Sequence, residues 1–386
     1  MTRPRIVIVA NNIDEVGGAQ RVSHVVADRL ARRGHAVDLV GVTPFSPAHD
    51  YGIDPAVRRF TLMTQPWPAP PPDNRLATRL RPSVRQLIAR RAALRAEAVA
   101  ALDAVLRDGP PGIVVTTQLW AMEHLAEVRH DDWAVIGQYH SSFEAAVAGR
   151  DLPRALALYA DVDLVTMLTE QDAHAMRRAG LNNVTWLPNP LAFWPDSPAQ
   201  GSGSTDGSGV VTYLGRLSPE KGVGFLVDAW GRIAERHPGW RLRLVGSGPE
   251  EASLRRKAGA LAAGGDRVDF HAPVSDAEGE LRRADLFVLP SLTEGLPLAL
   301  AEAMALGLPC VAADCSSGVR LLSADGTAAR LVARGDAAAL ADGLSGLMDT
   351  PADRADLGRS ARESVERYRA DAVIDQWESM FERVLR

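Results

Sequence analysis

The sequence predicts an α/β protein made of two halves, each a parallel sheet covered by helices. Short β-branched apolar runs alternate with helical patterns along the whole chain, as parallel sheets require. The length, 386 residues, suits two cores better than one. A glycine/serine run, Gly201–Gly209, interrupts the alternation near the middle.

In the first half, strands are expected at Ile6–Ala10, Ala36–Val42, Ile113–Thr117, Trp133–Tyr139 and Leu164–Leu168. In the second they are expected at Val210–Leu214, Arg241–Val245, Val268–His271, Leu286–Pro290 and Cys310–Ala313. Leu187-Pro188-Asn189-Pro190 is the expected boundary, giving domains 1–190 and 191–367, with Gly201–Gly209 as an elaborated start to the second. The stretch Tyr368–Arg386 carries Val373, Trp377, Met380, Phe381 and Val384 at near-helical spacing. It is expected to form an amphipathic helix, 368–386, packing back on the first half.

The 46% hydrophobic and 24% charged fractions are those of an ordinary globular protein. A net charge of −5 gives no global reason to bind nucleic acid. No apolar run reaches eighteen residues, so a membrane span is not expected. The apolar run after Met1-Thr2-Arg3-Pro4-Arg5 is too short for a signal peptide core. Cys310 and Cys315 make neither a disulfide framework nor a zinc site, and read as reduced buried thiols of a cytoplasmic protein.

Open α/β sheets place their ligands at the carboxyl ends of their strands, so residues that follow strands are the candidates. After the strand at Leu286 come Glu294-Gly295-Leu296-Pro297-Leu298 and, eight residues beyond the first acid, Glu302. Pro297 suits the first helical position, and the amides of Leu296 to Ala299 would form an anion site. If helical geometry held throughout, the two acids would lie within about a quarter-turn of each other. Two acids beside an anion-seeking helix end suggest a ligand bearing hydroxyls and a phosphate; an acid placed favourably at a helix start explains the pattern about as well.

Tyr213-Leu214-Gly215-Arg216-Leu217-Ser218-Pro219-Glu220-Lys221-Gly222 brings two cations from one strand-to-helix loop. Arg216 offers a fork of donors and Lys221 a point charge, the pair that a departing diphosphate needs. Gly246-Ser247-Gly248-Pro249 is a second glycine turn after a strand, plausible near phosphate. Val274, in the segment after the strand at Val268, is placed by topology to meet a nucleobase. In the first half, Gly17 and Gly18 would let backbone approach a ligand, although a plain loop is the simpler explanation. They depart from the G-x-G-x-x-G pattern, which argues against NAD or FAD. His140 ends a strand, where it could serve a sugar hydroxyl or simply be structural.

Taken in order, Gly17-Gly18, His140, Gly215-Arg216 with Lys221-Gly222, Gly246-Ser247-Gly248-Pro249, and Glu294 with Glu302 resemble the retaining glycosyltransferases of family 4. The acids match that family's E-x7-E motif. The resemblance spans nearly the whole chain and implies the GT-B fold, two Rossmann-like domains facing across a deep cleft. Asp314-Cys315-Ser316-Ser317-Gly318-Val319-Arg320 is similar to a segment of those members that often use UDP-sugars. The resemblance implies an enzyme of the hexosyltransferase type with a nucleotide-sugar donor. Arg216 and Lys221 would bind the diphosphate, Glu302 the ribose and Glu294 the transferred sugar. Gly295, Leu296 and Leu298 would meet phosphate through their backbone. His140 would sit at the sugar, with Gly18 leaving room for diphosphate and acceptor. No cofactor or metal is expected, since two cations do the work of Mg²⁺. Whether Glu294 attacks or only positions is left open.

Acceptor recognition is expected in the first half. Arg75, Arg79, Arg81, Arg85, Arg90, Arg91 and Arg95 stand with no acid among them, interleaved with Leu76, Leu80, Leu87, Ile88, Leu94 and Leu102. Such a segment either docks at the anionic inner face of a membrane or presents a solvated arginine face. Pro66-Trp67-Pro68 and the prolines after it read as a stiff loop that could flank the acceptor groove. Acceptors in envelope glycan, glycolipid or natural-product synthesis all remain open. A non-catalytic GT-B partner would be expected to have lost Arg216, Lys221 or Glu294. A nucleotide-sugar epimerase is the other alternative, and a phosphorylase would need a pyridoxal-phosphate lysine for which no signal is present.

Overall fold

The computed structural model describes residues 3–69, 81–199 and 207–385. The chain divides into two compact units. The first contains Met1–His140, Arg150–Leu187 and Ile374–Arg386; the second contains Ser141–Gly149 and Pro188–Val373.

The first unit is built on seven parallel strands: β1 (Ile6–Ala10), β2 (Val37–Gly41), β3 (Arg58–Thr61), β4 (Ile113–Thr116), β5 (Ala134–Tyr139), β6 (Leu164–Met167) and β7 (Val184–Trp186). Their order is β3-β2-β1-β4-β5-β6-β7, with Ile6 beside both Val37 and Ile113. Every residue of β1, β2 and β4 is buried; β1 is an unbroken apolar run for that reason, whereas β2 carries the buried charge Asp38 and β4 ends on Thr116. β3 escaped the sequence pattern because it is an edge strand, Arg-Arg-Phe-Thr, with charged and exposed positions. β7 has only three residues.

One buried ionic group braces this sheet. Asp38 on β2 is 1% exposed and accepts from Arg5 (3.0 Å from Nε) and from Arg58 (2.6 Å from Nε). Arg5 also donates to the Val105 carbonyl at 2.7 Å, tying the sheet to the helix Pro82–Arg107.

The helix Ala370–Val384 buries Ile374, Trp377, Met380 and Phe381. Its residues from Ile374 onward belong to the first unit, where Arg33 and His35 meet Glu378 at 2.6 and 3.0 Å. The observed division after Leu187 lies three residues ahead of the expected one at 190. Just beyond both, Leu191 N–H donates to the Tyr368 carbonyl at 2.8 Å within the second unit.

His24 on the helix Gly18–Arg32 is 1% exposed, stacks on Tyr51 at 4.1 Å and donates from Nδ1 to the Gln20 carbonyl. Burial lowers its pKa from 6.5 to about 4. Between those two values the unfolded chain holds a proton that the folded chain does not. Stability therefore falls as pH drops from 6.5 towards 4, by roughly 3 kcal/mol over the full window. Urea unfolding between pH 4.5 and 6.5 should show that slope, and His24→Phe should flatten it. An equal slope in both proteins would contradict this assignment.

The second unit has six parallel strands: β8 (Ser208–Leu214), β9 (Gly239–Val245), β10 (Val268–His271), β11 (Leu286–Leu289), β12 (Cys310–Ala313) and β13 (Arg330–Val332). They run in the order β10-β9-β8-β11-β12-β13. β13 is another three-residue edge strand that the sequence pattern missed. Tyr213, Trp230 and Trp240 are fully buried in the core. Of the Gly201–Gly209 run, residues 201–206 lie outside the described residues, while Ser208 and Gly209 begin β8.

Among the described residues no helix is long and apolar enough to cross a membrane. Among those residues no group of three or more His, Cys, Asp or Glu could hold a metal ion.

Candidate functional site

In the second sheet the strand order reverses between β8 and β11. A crevice opens at the carboxyl ends of such neighbouring strands because their connections leave in opposite directions. The loops that follow these two strands carry Arg216 and Lys221 on one side and Glu294 on the other.

Lys221 Nζ lies 2.8 Å from Glu294 Oε1, with side-chain exposures of 27% and 10%. The same carboxylate oxygen accepts from Ser291 Oγ at 2.7 Å. The loops are also joined through backbone, since Leu292 N–H donates to the Glu220 carbonyl at 2.8 Å. Gly222 completes the joint. Its φ of +63° is left-handed, and a Cβ there would overlap the Pro290 carbonyl oxygen. Arg216 is exposed, and its guanidinium has no hydrogen bond or ion pair among the described residues. The site thus holds one cation fixed against an acid and one cation available to a ligand.

Gly246 and Gly248 have a structural reason of their own. A Cβ on either would overlap the Gly215 or Leu217 carbonyl, and Leu217 N–H donates to Ser247 O at 2.9 Å. These glycines press the loop after β9 against the loop that carries Arg216. Val274 lies half-buried beyond β10.

The helix after β11 begins at Leu298, one residue later than expected. Pro297 is its N-cap, with ψ 109°, and its carbonyl accepts from Ala301 N–H at 3.1 Å. Glu294 therefore lies in an irregular turn, and the quarter-turn relation to Glu302 does not apply. Leu296 is buried, Gly295 and Leu298 are half-buried, and Glu302 is 1% exposed. The first amides of the helix Leu298–Ala305 have no intrahelical acceptor.

Sequence reasoning singled out Asp314–Arg320 without saying what it does. Arg320 forms a two-pronged pair with Asp314, at 2.8 Å for both contacts. Ser316 caps the helix Ser317–Leu322 and reaches the Gly295 carbonyl at 3.4 Å. A Cβ on Gly318 would overlap that same carbonyl oxygen. The segment buttresses the turn that carries Glu294. Burial pushes the Cys315 thiol up to about 12, and Cys310 is also held protonated by burial, so neither is a nucleophile at neutral pH. Gly318→Ala should displace Gly295 and cost about 1–3 kcal/mol of stability. Thermal unfolding checks this, and an unchanged Tm would remove the proposed contact from the account.

Ser291 was missed because a serine after a strand carries no distinctive spacing.

The other candidates belong to the first unit. Gly17 is extended and caps the helix Gly18–Arg32; a Cβ there would meet only the movable end of Gln20. His140 follows β5, half-buried, with Nε2 3.3 Å from Gln138 Oε1. The helix Pro82–Arg107 has Pro82 in its first turn. Arg95 pairs with Glu127 at 2.5 Å, Arg90 donates to Gln65 at 2.6 Å, and Arg91 stacks on Trp67 at 4.8 Å. Arg75, Arg79, Leu76, Leu80 and Pro70–Pro72 lie outside the described residues.

Two Rossmann-like parallel sheets, the second with paired cation and acid loops at its reversal point, are the architecture of the GT-B class. Two family models match it: Glycosyltransferase Family 4 over residues 16–192, and Glycosyl transferases group 1 over residues 208–350. The chain belongs to the family 4, group 1 glycosyltransferases. It is 28% identical to an uncharacterized glycosyltransferase of Haemophilus influenzae over 96% of this chain and 97% of that one. Among solved structures it is similar to sucrose-phosphate synthase from Thermosynechococcus elongatus, with TM-score 0.78, 22% identity and 99% of both chains covered. It is also similar to Anabaena HepE in complex with UDP and glucose, with TM-score 0.74, 19% identity, and 98% of this chain and 100% of that one covered. At these identities the two structural likenesses are likenesses of fold.

Proposed function

We propose that the protein transfers a hexose or N-acetylhexosamine from a UDP-sugar to a hydroxyl acceptor in envelope glycan, glycolipid or natural-product synthesis. The new bond is α, with the donor configuration retained. The observation that carries this reading is Glu294 held by Lys221 and Ser291 at the reversal point of the second sheet.

In this reading Lys221 and exposed Arg216 neutralise the diphosphate as the glycosidic C–O bond breaks. The first amides of the helix Leu298–Ala305 add a partial positive charge. Glu302 takes the ribose and Glu294 the transferred sugar. One oxygen of Glu294 already accepts from two donors, which lowers its nucleophilicity and favours positioning over attack. The departing phosphate then takes the acceptor proton while the two cations stabilise it. UDP as the nucleotide is supported by the resemblance of Asp314–Arg320 to UDP-sugar users and by the UDP held by HepE.

A panel of UDP-, GDP- and dTDP-sugars read by thermal shift tests the donor. Stabilisation by UDP-sugars is expected; a shift with GDP- or dTDP-sugars and none with UDP-sugars would overturn the nucleotide assignment. NMR of the product's anomeric proton tests retention, and a β-linked product would overturn it. Release of epimerised sugar nucleotide without any acceptor would favour an epimerase.

A further inference from the structure

Two tryptophans of the first unit stand together at the carboxyl ends of its strands. Trp67 is fixed by its backbone N–H donating to Thr43 Oγ1 at 3.1 Å, just beyond β2. Trp120 lies in the first turn of the helix Leu119–Leu125, just beyond β4. Their rings are 5.3 Å apart at 62°, and both side chains remain half-buried. Among the described residues neither indole N–H has a hydrogen-bond partner. Trp120 is backed by His124, which is fully buried, 5.0 Å from its ring, and bonded through Nδ1 to the Trp120 carbonyl. Burial lowers the pKa of this imidazole. Arg91 lies over the Trp67 ring at 4.8 Å. Arg81, Arg85, Arg90 and Arg91 have no ion-pair partner among the described residues.

Resting on the glycosyltransferase reading, we propose that Trp67, Trp120 and Arg91 form an acceptor subsite for an anionic pyranose, a sugar ring bearing a carboxylate or a phosphate. A pyranose presents a face of C–H groups that matches the electron-rich face of an indole. Its hydroxyl rim suits an indole N–H with no partner. A guanidinium stacked on an aromatic ring keeps its fork of donors oriented, and that fork fits a carboxylate or a phosphate. The positive charge of Arg91 over Trp67 selects an anion over a neutral sugar.

The test uses the full chain in isothermal titration with methyl α-glucuronide, glucose 6-phosphate, methyl α-glucoside, UDP, and vesicles with and without phosphatidylglycerol. One of the two charged sugars should bind about tenfold more tightly than the neutral glycoside, and which one does so identifies the anionic group. Trp120→Phe and Trp67→Phe should weaken it, the alanine variants should abolish it, and Arg91→Gln should erase the preference for charge. UDP affinity should be unchanged in all of them. Equal binding of charged and neutral sugars, no sugar binding, or binding indifferent to both tryptophans would overturn the proposal. So would vesicle binding that depends on these residues while no sugar binds, which would assign the patch to a membrane. Failure of the wild-type chain to bind any nucleotide or nucleotide-sugar would instead count against the glycosyltransferase reading.

Discussion

Lys221→Ala and Glu294→Ala should each lower kcat/KM for transfer by at least about 10²–10³-fold, the scale for losing one group that stabilises developing charge. The folded state should survive both changes. After Lys221→Ala, Glu294 keeps its bond from Ser291, and after Glu294→Ala, Lys221 is 27% exposed and can be solvated. The backbone bond between Leu292 and Glu220 also remains to hold the two loops together. Steady-state kinetics with thermal unfolding as a control reads the result. Near-normal turnover by either variant would sink the proposed site.

Asp38→Ala should be the most destabilising single change outside the site, at about 3–5 kcal/mol. Asp38 is 1% exposed, and Arg5, which depends on it, is 6% exposed. Removing the carboxylate leaves the Arg5 guanidinium buried, with only the carbonyls of Val105 and Leu106 as acceptors among the described residues. Arg58 is half exposed and would turn to solvent or keep Asp108, so the loss falls mainly on Arg5. Urea unfolding measures it. A loss of under 1 kcal/mol would mean that the pair contributes little beyond what solvation restores.

The interior strands were legible in the sequence because burial on both faces writes them as uninterrupted apolar runs, as in β1 and β11. Edge strands are not written that way. β3 presents two arginines to solvent, and β7 and β13 are too short to show a period.

At the site, glycines and charges following strands were visible, but their partners were not. Nothing local in the sequence says that Lys221 meets Glu294, 73 residues away, because that pairing comes from the strand order, β8 beside β11. The extended backbone at Pro297 was equally hidden, since proline fixes φ and leaves ψ free to end or begin a helix. Gly246-Ser247-Gly248 reads in the sequence as a turn plausible near phosphate, and the carbonyl oxygens of Gly215 and Leu217 that its glycines pack against were not legible there.

The central claim is that Lys221 serves the diphosphate and Glu294 the sugar of one bound donor. Isothermal titration of UDP and of UDP-glucose into the wild-type chain, Lys221→Ala and Glu294→Ala tests it most directly. Lys221→Ala should weaken both ligands, while Glu294→Ala should leave UDP unchanged and remove the extra affinity conferred by the glucose. Equal affinities in all three proteins, or loss of UDP binding in Glu294→Ala alone, would contradict it.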